Sequence, residues 1–275
     1  MRLSKMKVRA ILLVLTLVCA IPPHALPITH VEIKMACPIC KTENSVTAIM
    51  SWGSYIYQSP SRFQLVFFPQ TDSSQLYHCK RCHFTAGPDD FENFPAEKRA
   101  DVTKMLERVW HPTHIEDYRE IPMSERLGIA EQYYQLFDLG EDFWCRFYRL
   151  KGYFLQQEGK KEEAATARAK ALEIARKLVA REDRVGERKE LLVIVAAMHH
   201  YLGDDTSAVA ALEAANAITY SNPKRKPDEN QNVDTYLSGL IRDYQRAIRE
   251  GLNTDKEWKS GGAQEEEKKE PDDEG

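Results

Sequence analysis

Four of the six cysteines fall into two pairs, Cys37-Pro38-Ile39-Cys40 and Cys79-Lys80-Arg81-Cys82. Each Cys-x-x-Cys turn delivers two thiolates to one side of a tetrahedron, the arrangement zinc prefers with soft ligands. Backbone N–H groups of such a turn can also donate to the sulfurs and temper their charge. Four protein ligands leave no open position, so a metal held by Cys37, Cys40, Cys79 and Cys82 would be structural rather than catalytic. Its binding energy would help to fold a segment that is small for an independent core. The 38 residues between the pairs exceed the compact finger spacings but suit two or three strands, whose hairpins could bring the pairs together.

Three other chemistries stay open for the same residues. Cys79, Cys82 and His83 match the attachment pattern of a c-type haem, although haem would leave Cys37 and Cys40 without a role. An exported chain could oxidise the pairs to disulfides. A Cys-Pro-x-Cys turn can be a redox centre, but that context wants a helix starting at the motif, and Lys41–Met50 reads as strand. Elsewhere, His111-Pro112-Thr113-His114 with Glu116 and Asp117 could bind a second metal, though proline and loop composition favour a polar loop. His199-His200 reads as a packed pair on a helix, because adjacent helical residues point in different directions. Cys145, beside Trp144 and Phe147, reads as a buried apolar residue. The sequence contains no Gly-rich phosphate loop, nucleophile elbow or His-Glu metalloprotease motif, and so nominates no catalytic residue.

The run Cys79–Ala86, "CKRCHFTA", after the aromatic Tyr77, resembles the second cysteine turn of the bacterial domain of unknown function 2225 family. The opening "CPIC" does so too. The resemblance covers roughly Met35 to Val179. It implies a zinc-ribbon-like, cysteine-paired N-terminal region followed by helices like those of tetratricopeptide repeats (TPRs). It departs where the family usually has Gly after the last cysteine, since His83 stands there.

The elements that must position the cysteines can be read from patterning. Short strands are expected at Ser45–Met50, Phe63–Phe68 and Leu76–His78, with turn signals at Gly53, Ser59-Pro60 and Pro69–Ser74. Ala96–Val109 reads as an amphipathic helix that ends at His111-Pro112. A second begins at Ser124, a suitable N-cap, with Leu127, Ala130, Tyr134 and Phe137. Helical patterning continues to about Leu252.

Within it a register recurs. Gly152, Gly159, Ala164 and Ala171 are followed 44 residues later by Ala196, Gly203, Ala208 and Ala215. Phe147 and Leu191, and Leu150 and Ile194, keep the same spacing. Small residues at these offsets let two helices of a hairpin approach closely, and the middle Gly suits the turn between them. The pattern resembles TPRs, with Arg168 in place of a large apolar residue and a linker expected near Arg181–Glu187. The aromatics Phe143, Trp144, Phe147, Tyr148, Tyr153 and Phe154 read as core, or in part as the lining of a peptide groove.

The N-terminus has the pattern of a secretory signal peptide. Arg2, Lys5, Lys7 and Arg9 precede an apolar run, Ala10–Ile21, that is too short to span a membrane, with cleavage sites after Ala20 or Ala25. An uncleaved anchor, and a lipoprotein at Cys19, are the other readings. Loss of those four cations takes the net charge from −4 to −8, a poor match to nucleic-acid phosphates. The basic cluster Lys224-Arg225-Lys226 reads as a solvated loop. The charged tail from Thr254 to Gly275 buries too little apolar area to offset its ordering entropy.

The expected class is α+β. Residues 1–25 are a signal peptide, 31–95 a zinc-ribbon-like domain, 96–253 a TPR-like domain and 254–275 an acidic tail. The expected role is an exported, non-enzymatic scaffold with structural zinc and a protein or peptide partner. An extracytoplasmic haem c or thiol redox protein is the alternative.

Overall fold

The computed structural model describes residues 28–51, 62–109 and 115–254. The expected signal peptide with Ala20 and Ala25, the turns at Gly53 and Ser59-Pro60, His111–His114 and residues 255–275 lie outside them. The fold is α+β: two small antiparallel hairpins precede a run of helices. Strand β1 (Thr29–Ala36) pairs with β2 (Glu43–Ser51), and β3 (Tyr77–His78) pairs with β4 (Thr85–Ala86). β2 and β3 overlap two of the expected strands. β1 lay outside the expectation, although Val31, Ile33 and Met35 alternate with polar residues as a half-buried strand requires.

Short helices α1 (Pro88–Glu92) and α2 (Arg99–Leu106) follow. The expected Ala96–Val109 helix is thus a 3-10 turn, Ala96–Lys98, that runs into α2. With α3 (Met123–Tyr134) these elements cover the hairpins. Cys37, Val46, Tyr77, Phe84, Phe91, Val102 and Tyr133 share one core there. Then come α4 (Glu141–Gln157), α5 (Lys161–Ala180), α6 (Arg188–Tyr201), α7 (Asp205–Asn216) and α8 (Pro227–Arg249), each packed on the next. In α8 the buried Leu237, Leu240, Ile241, Tyr244 and Ala247 make one stripe at helical spacing.

The 44-residue register has a structural basis. Gly159 and Gly203 have φ of 75° and 83° at the ends of α4 and α6, where only glycine turns left-handed without strain. Gly152 lies so close to Arg168 that a Cβ would stand 2.9 Å from its Cγ. Ala164, Ala171, Ala196, Ala208 and Ala215 are buried, and the expected linker is the 3-10 turn Glu182–Glu187.

Two expectations fail. Phe63–Phe68 is not a strand: Arg62–Gln64 is a 3-10 turn, and Leu65 follows with φ 51°. Phe63, Gln64, Leu65 and Val66 are all buried, so the segment lacks the alternation of a strand with one wet face. It sits instead against the helices. Phe63 stacks on Tyr244 with ring centroids 4.0 Å apart. Arg149 donates to the carbonyls of Gln64 (2.7 Å) and Leu65 (3.2 Å). Arg168, the departure from the TPR pattern, donates to Gln64 Oε1 (3.3 Å) and lies 4.2 Å from the Tyr201 ring centroid.

Nor is Ser124 an N-cap. Pro122 holds that position, and Ser124 lies inside the first turn of α3. The Ser124 N–H donates to Glu158 Oε1 (3.0 Å), and its hydroxyl donates to Glu158 Oε2. The carboxylate just beyond α4 therefore caps α3 from outside, with Lys160 Nζ 2.6 Å from Ser124 Oγ.

Two outcomes follow from these contacts. Phe63→Ala should lower unfolding free energy by about 3–5 kcal/mol in chemical denaturation; a loss below about 1 kcal/mol would mean that the segment is not integral to the helical core. Burial pulls the Glu158 carboxyl upward, but the Ser124 donors and the Lys160 charge outweigh it and hold it below the ordinary value of 4.5. Its contribution is present above that value and lost as pH falls through the lowered one. Glu158→Gln should cost about 1 kcal/mol at neutral pH and flatten the stability profile on the acid side of about pH 4.5. An unaltered profile would remove this account of the cap.

Candidate metal centre

Each cysteine pair occupies the tip of a hairpin. Ala36 pairs with Glu43 across the first loop, residues 37–42, and His78 with Thr85 across the second, residues 79–84. The two loops share one backbone pattern. The N–H of Cys37 donates to the Thr42 carbonyl (2.8 Å), and that of Lys41 donates to the Cys37 carbonyl (3.0 Å). In the second loop, Cys79 donates to Phe84 and His83 to Cys79, both at 2.9 Å. Lys41 and His83 occupy equivalent places, with φ of 62° and 65°. Glycine adopts this left-handed position without strain, and histidine tolerates it better than most residues.

The four sulfurs converge. Cys37 Sγ lies 3.5 Å from Cys82 Sγ, Cys40 Sγ lies 3.5 Å from Cys79 Sγ, and all four fall within 4.8 Å of one another. Zinc–sulfur bonds of about 2.3 Å imply tetrahedral edges of about 3.8 Å, close to this spacing. A disulfide would need about 2.05 Å, and the cysteines are free thiols. Cys37 and Cys79 are fully buried, and Cys40 and Cys82 half-buried. The cluster can hold a metal ion.

Thiols this close titrate as one system. Hydrogen bonds from Cys37 and then Cys82 hold the Cys79 thiol well below its ordinary value. The reciprocal contacts push Cys37 up to about 12, through Cys79 first, and push Cys82 upward, through Cys37 first. A divalent ion at the centre would displace the remaining protons and balance the thiolates.

Several supporting residues escaped the sequence reading. Asn44 is 3% exposed and spans both loops. Its Nδ2 donates to the Thr42 carbonyl (2.9 Å) and lies 3.7 Å from Cys79 Sγ, and its Oδ1 accepts the Lys80 N–H (2.9 Å). Arg99 donates to the carbonyls of Pro38 and Ile39 and lies 5.7 Å from the Phe94 ring centroid. Tyr118 ties β2 to the residues before β3, accepting the Thr47 N–H (3.2 Å) and donating to the Ser74 carbonyl (2.9 Å). Phe84 packs on Phe91 and Tyr133 at 4.9 and 5.0 Å, in one core with the buried Cys37 and Cys79. Nothing in the spacing marks Asn44, a polar residue four places after Cys40; its role exists only once the second loop is beside it.

The other candidates are placed as follows. His83 Nδ1 lies 3.2 Å from His78 Nε2, outside the sulfur cluster, and burial lowers its pKa. Cys79 and Cys82 face Cys37 and Cys40 rather than a slot for a macrocycle, and no helix starts at Cys37. Glu116 and Asp117 pair with Lys80 and Arg119. His199 contacts Asp204 and Arg176, and His200 contacts Asp205 and Thr254, the buried first residue of the expected tail. Cys145 is buried, with its sulfur 3.8 Å from the Ala171 carbonyl. The aromatics from Phe143 to Phe154 pack on one another, with Phe147 and Phe154 buried.

A family described as an uncharacterized protein conserved in bacteria (DUF2225) matches residues 31–236, about three quarters of the sequence. The chain belongs to this family. Its match takes in both DUF2225 cysteine pairs and extends into α8. No curated protein and no solved structure matches the chain.

The cluster and its support yield two expected outcomes. Asn44→Ala should weaken metal affinity about 10- to 100-fold in chelator competition. Lys41→Gly should relieve left-handed strain and raise stability by up to about 1 kcal/mol, with the metal retained. Unchanged affinity in the first, or metal loss in the second, would contradict the geometry described.

Proposed function

We propose that the chain is an exported, non-enzymatic interaction module in which one structural zinc ion joins two hairpins and a TPR-like helical platform holds a protein or peptide. Cys37, Cys40, Cys79 and Cys82 would be the ligands; four thiolates suit a soft ion, and a closed shell leaves it no substrate position. The basic residues before Ala10 and the apolar run to Ile21 support export to the periplasm or beyond. The proposed boundary between ribbon and platform falls near residue 95, with Arg62–Phe68 as a ribbon-side segment lodged among the helices. No helix of the described residues is long and apolar enough to cross a membrane.

The observation that carries the binding role is an apolar groove of about 510 Å³ between α3, α4 and the residues before β3. Met123, Leu127, Phe143, Phe147 and Leu150 line it, with Arg146 at its side. A concave apolar surface with few polar groups is the usual form of a binding site. The haem or redox alternative, through Cys79, Cys82 and His83, has less support, because the paired sulfurs of Cys37 and Cys40 would stand opposite with no role.

Crosslinking in the native host, followed by purification, should recover a partner with the unaltered protein and lose it with Phe143→Ser and Leu150→Ser, both half-buried, at unchanged helicity. Recovery of the same partner with both variants would end the groove reading. Protein from its export compartment should contain one zinc per chain and no covalent haem; a haem mass or an absence of zinc would end the metal reading.

A further inference from the structure

A second cavity, of about 530 Å³, lies on the other side of Pro69 and Gln70. Its walls are the segment from Leu65 to Gln70, helices α4 and α6, the Glu182–Glu187 turn and the loop before α8. The volume suits a small molecule, within the range of about 300–1,000 Å³ for ligand pockets. It carries more charges than the first groove, and these are incompletely matched.

Arg149 is 7% exposed. Its Nε and Nη1 donate to three carbonyls, those of Cys145, Gln64 and Leu65. Its Nη2 donates to no group among the described residues, and no carboxylate pairs with the guanidinium. The side chains of Arg146 and Arg225, also on the cavity, have no ion-pair partner among the described residues. Glu190 is half-buried on α6, near Arg149 and Arg225, yet its carboxyl makes no hydrogen bond or ion pair there. Burial raises its pKa. The remaining charges have charged partners: Arg184 grips Asp142 at 2.6 and 2.8 Å, its Nε stands 2.5 Å from Glu187 Oε2 without a hydrogen bond, and Asn222 donates to Glu187 Oε1 at 2.6 Å. The unmet groups are thus guanidinium N–H donors and one carboxyl acceptor on the same cavity. A buried charge held only by neutral carbonyls gains from an anion, and a planar guanidinium suits a carboxylate.

We propose that this cavity binds a small carboxylate carrying its own N–H or O–H donor, its carboxylate facing Arg149 and Arg225 and its donor facing Glu190. The site is separate from the metal centre and shares Pro69, Gln70 and Arg146 with the apolar groove, whereas Arg225 and Glu190 belong to this cavity and not to that groove.

Calorimetry on the full chain tests this with matched pairs of acids. L-glutamate and L-lactate carry a donor; glutarate and propionate are their counterparts without it. At least one donor-bearing acid should bind about tenfold more tightly than its counterpart. Arg225→Gln and Arg146→Gln should weaken that binding about tenfold, and Glu190→Gln should erase the preference for the donor. All three are off the helical core, and circular dichroism would verify their folding. No heat from any acid at about 10 mM, equal binding within both pairs, or binding unaffected by Arg225→Gln and Glu190→Gln would each overturn the assignment.

Discussion

Four sulfurs within 4.8 Å of one another are the constraint on which the N-terminal half depends. Four thiolates so close repel and cannot all ionise without a cation between them. The hairpins that carry them are weak by themselves. β3 and β4 are two residues each, and most of β1 is exposed. Isolated hairpins of this size are marginal in water. A central ion would convert two weak hairpins into one unit, and the aromatic shell of Tyr77, Phe84, Phe91 and Tyr133 gives that unit a dry side. A metal's contribution there would belong to folding, so the site would say how the chain is held together.

A second device fastens this unit to the helices. Three buried arginines, one on each of α3, α4 and α5, reach residues 64–76. Arg126 donates to the carbonyls of Ser73 (2.6 Å) and Leu76 (2.9 Å), and burial lowers it to about 10. Arg149 and Arg168 hold Gln64 and its neighbour. Irregular backbone can be buried only when its carbonyls find donors, and the long guanidinium stems supply them from a distance. Desolvating three guanidiniums is costly, which ties helical order to correct seating of the segment. The cavity beside Arg149 is a consequence: a charge brought in to hold main chain leaves one nitrogen unused.

What was legible in the sequence follows from locality. The cysteine pairs, the turn glycines Gly159 and Gly203 and the apolar stripes of the helices are set by residues close in sequence, and the α+β order could be read from them. Strand patterning failed at Phe63–Phe68 because an apolar run is equally suited to a strand or to burial on all sides, and only the helices decide which. Asn44, Arg126 and Arg149 were invisible for the same reason. Their partners lie 36, 50 and 85 residues away. Ser124 carried a correct signal, a helix start, but its hydroxyl went to a carboxylate from another helix rather than to its own backbone. Arg168 looked like a defect in a repeat and is a contact instead.

X-ray absorption of the full-length protein, purified from its own compartment without added metal, tests the central claim most directly. The account predicts a zinc edge and a shell of four sulfurs at about 2.3 Å, with no nitrogen from His83. An iron edge, a mixed nitrogen–sulfur shell, or sulfurs bonded to each other at about 2.05 Å would contradict it.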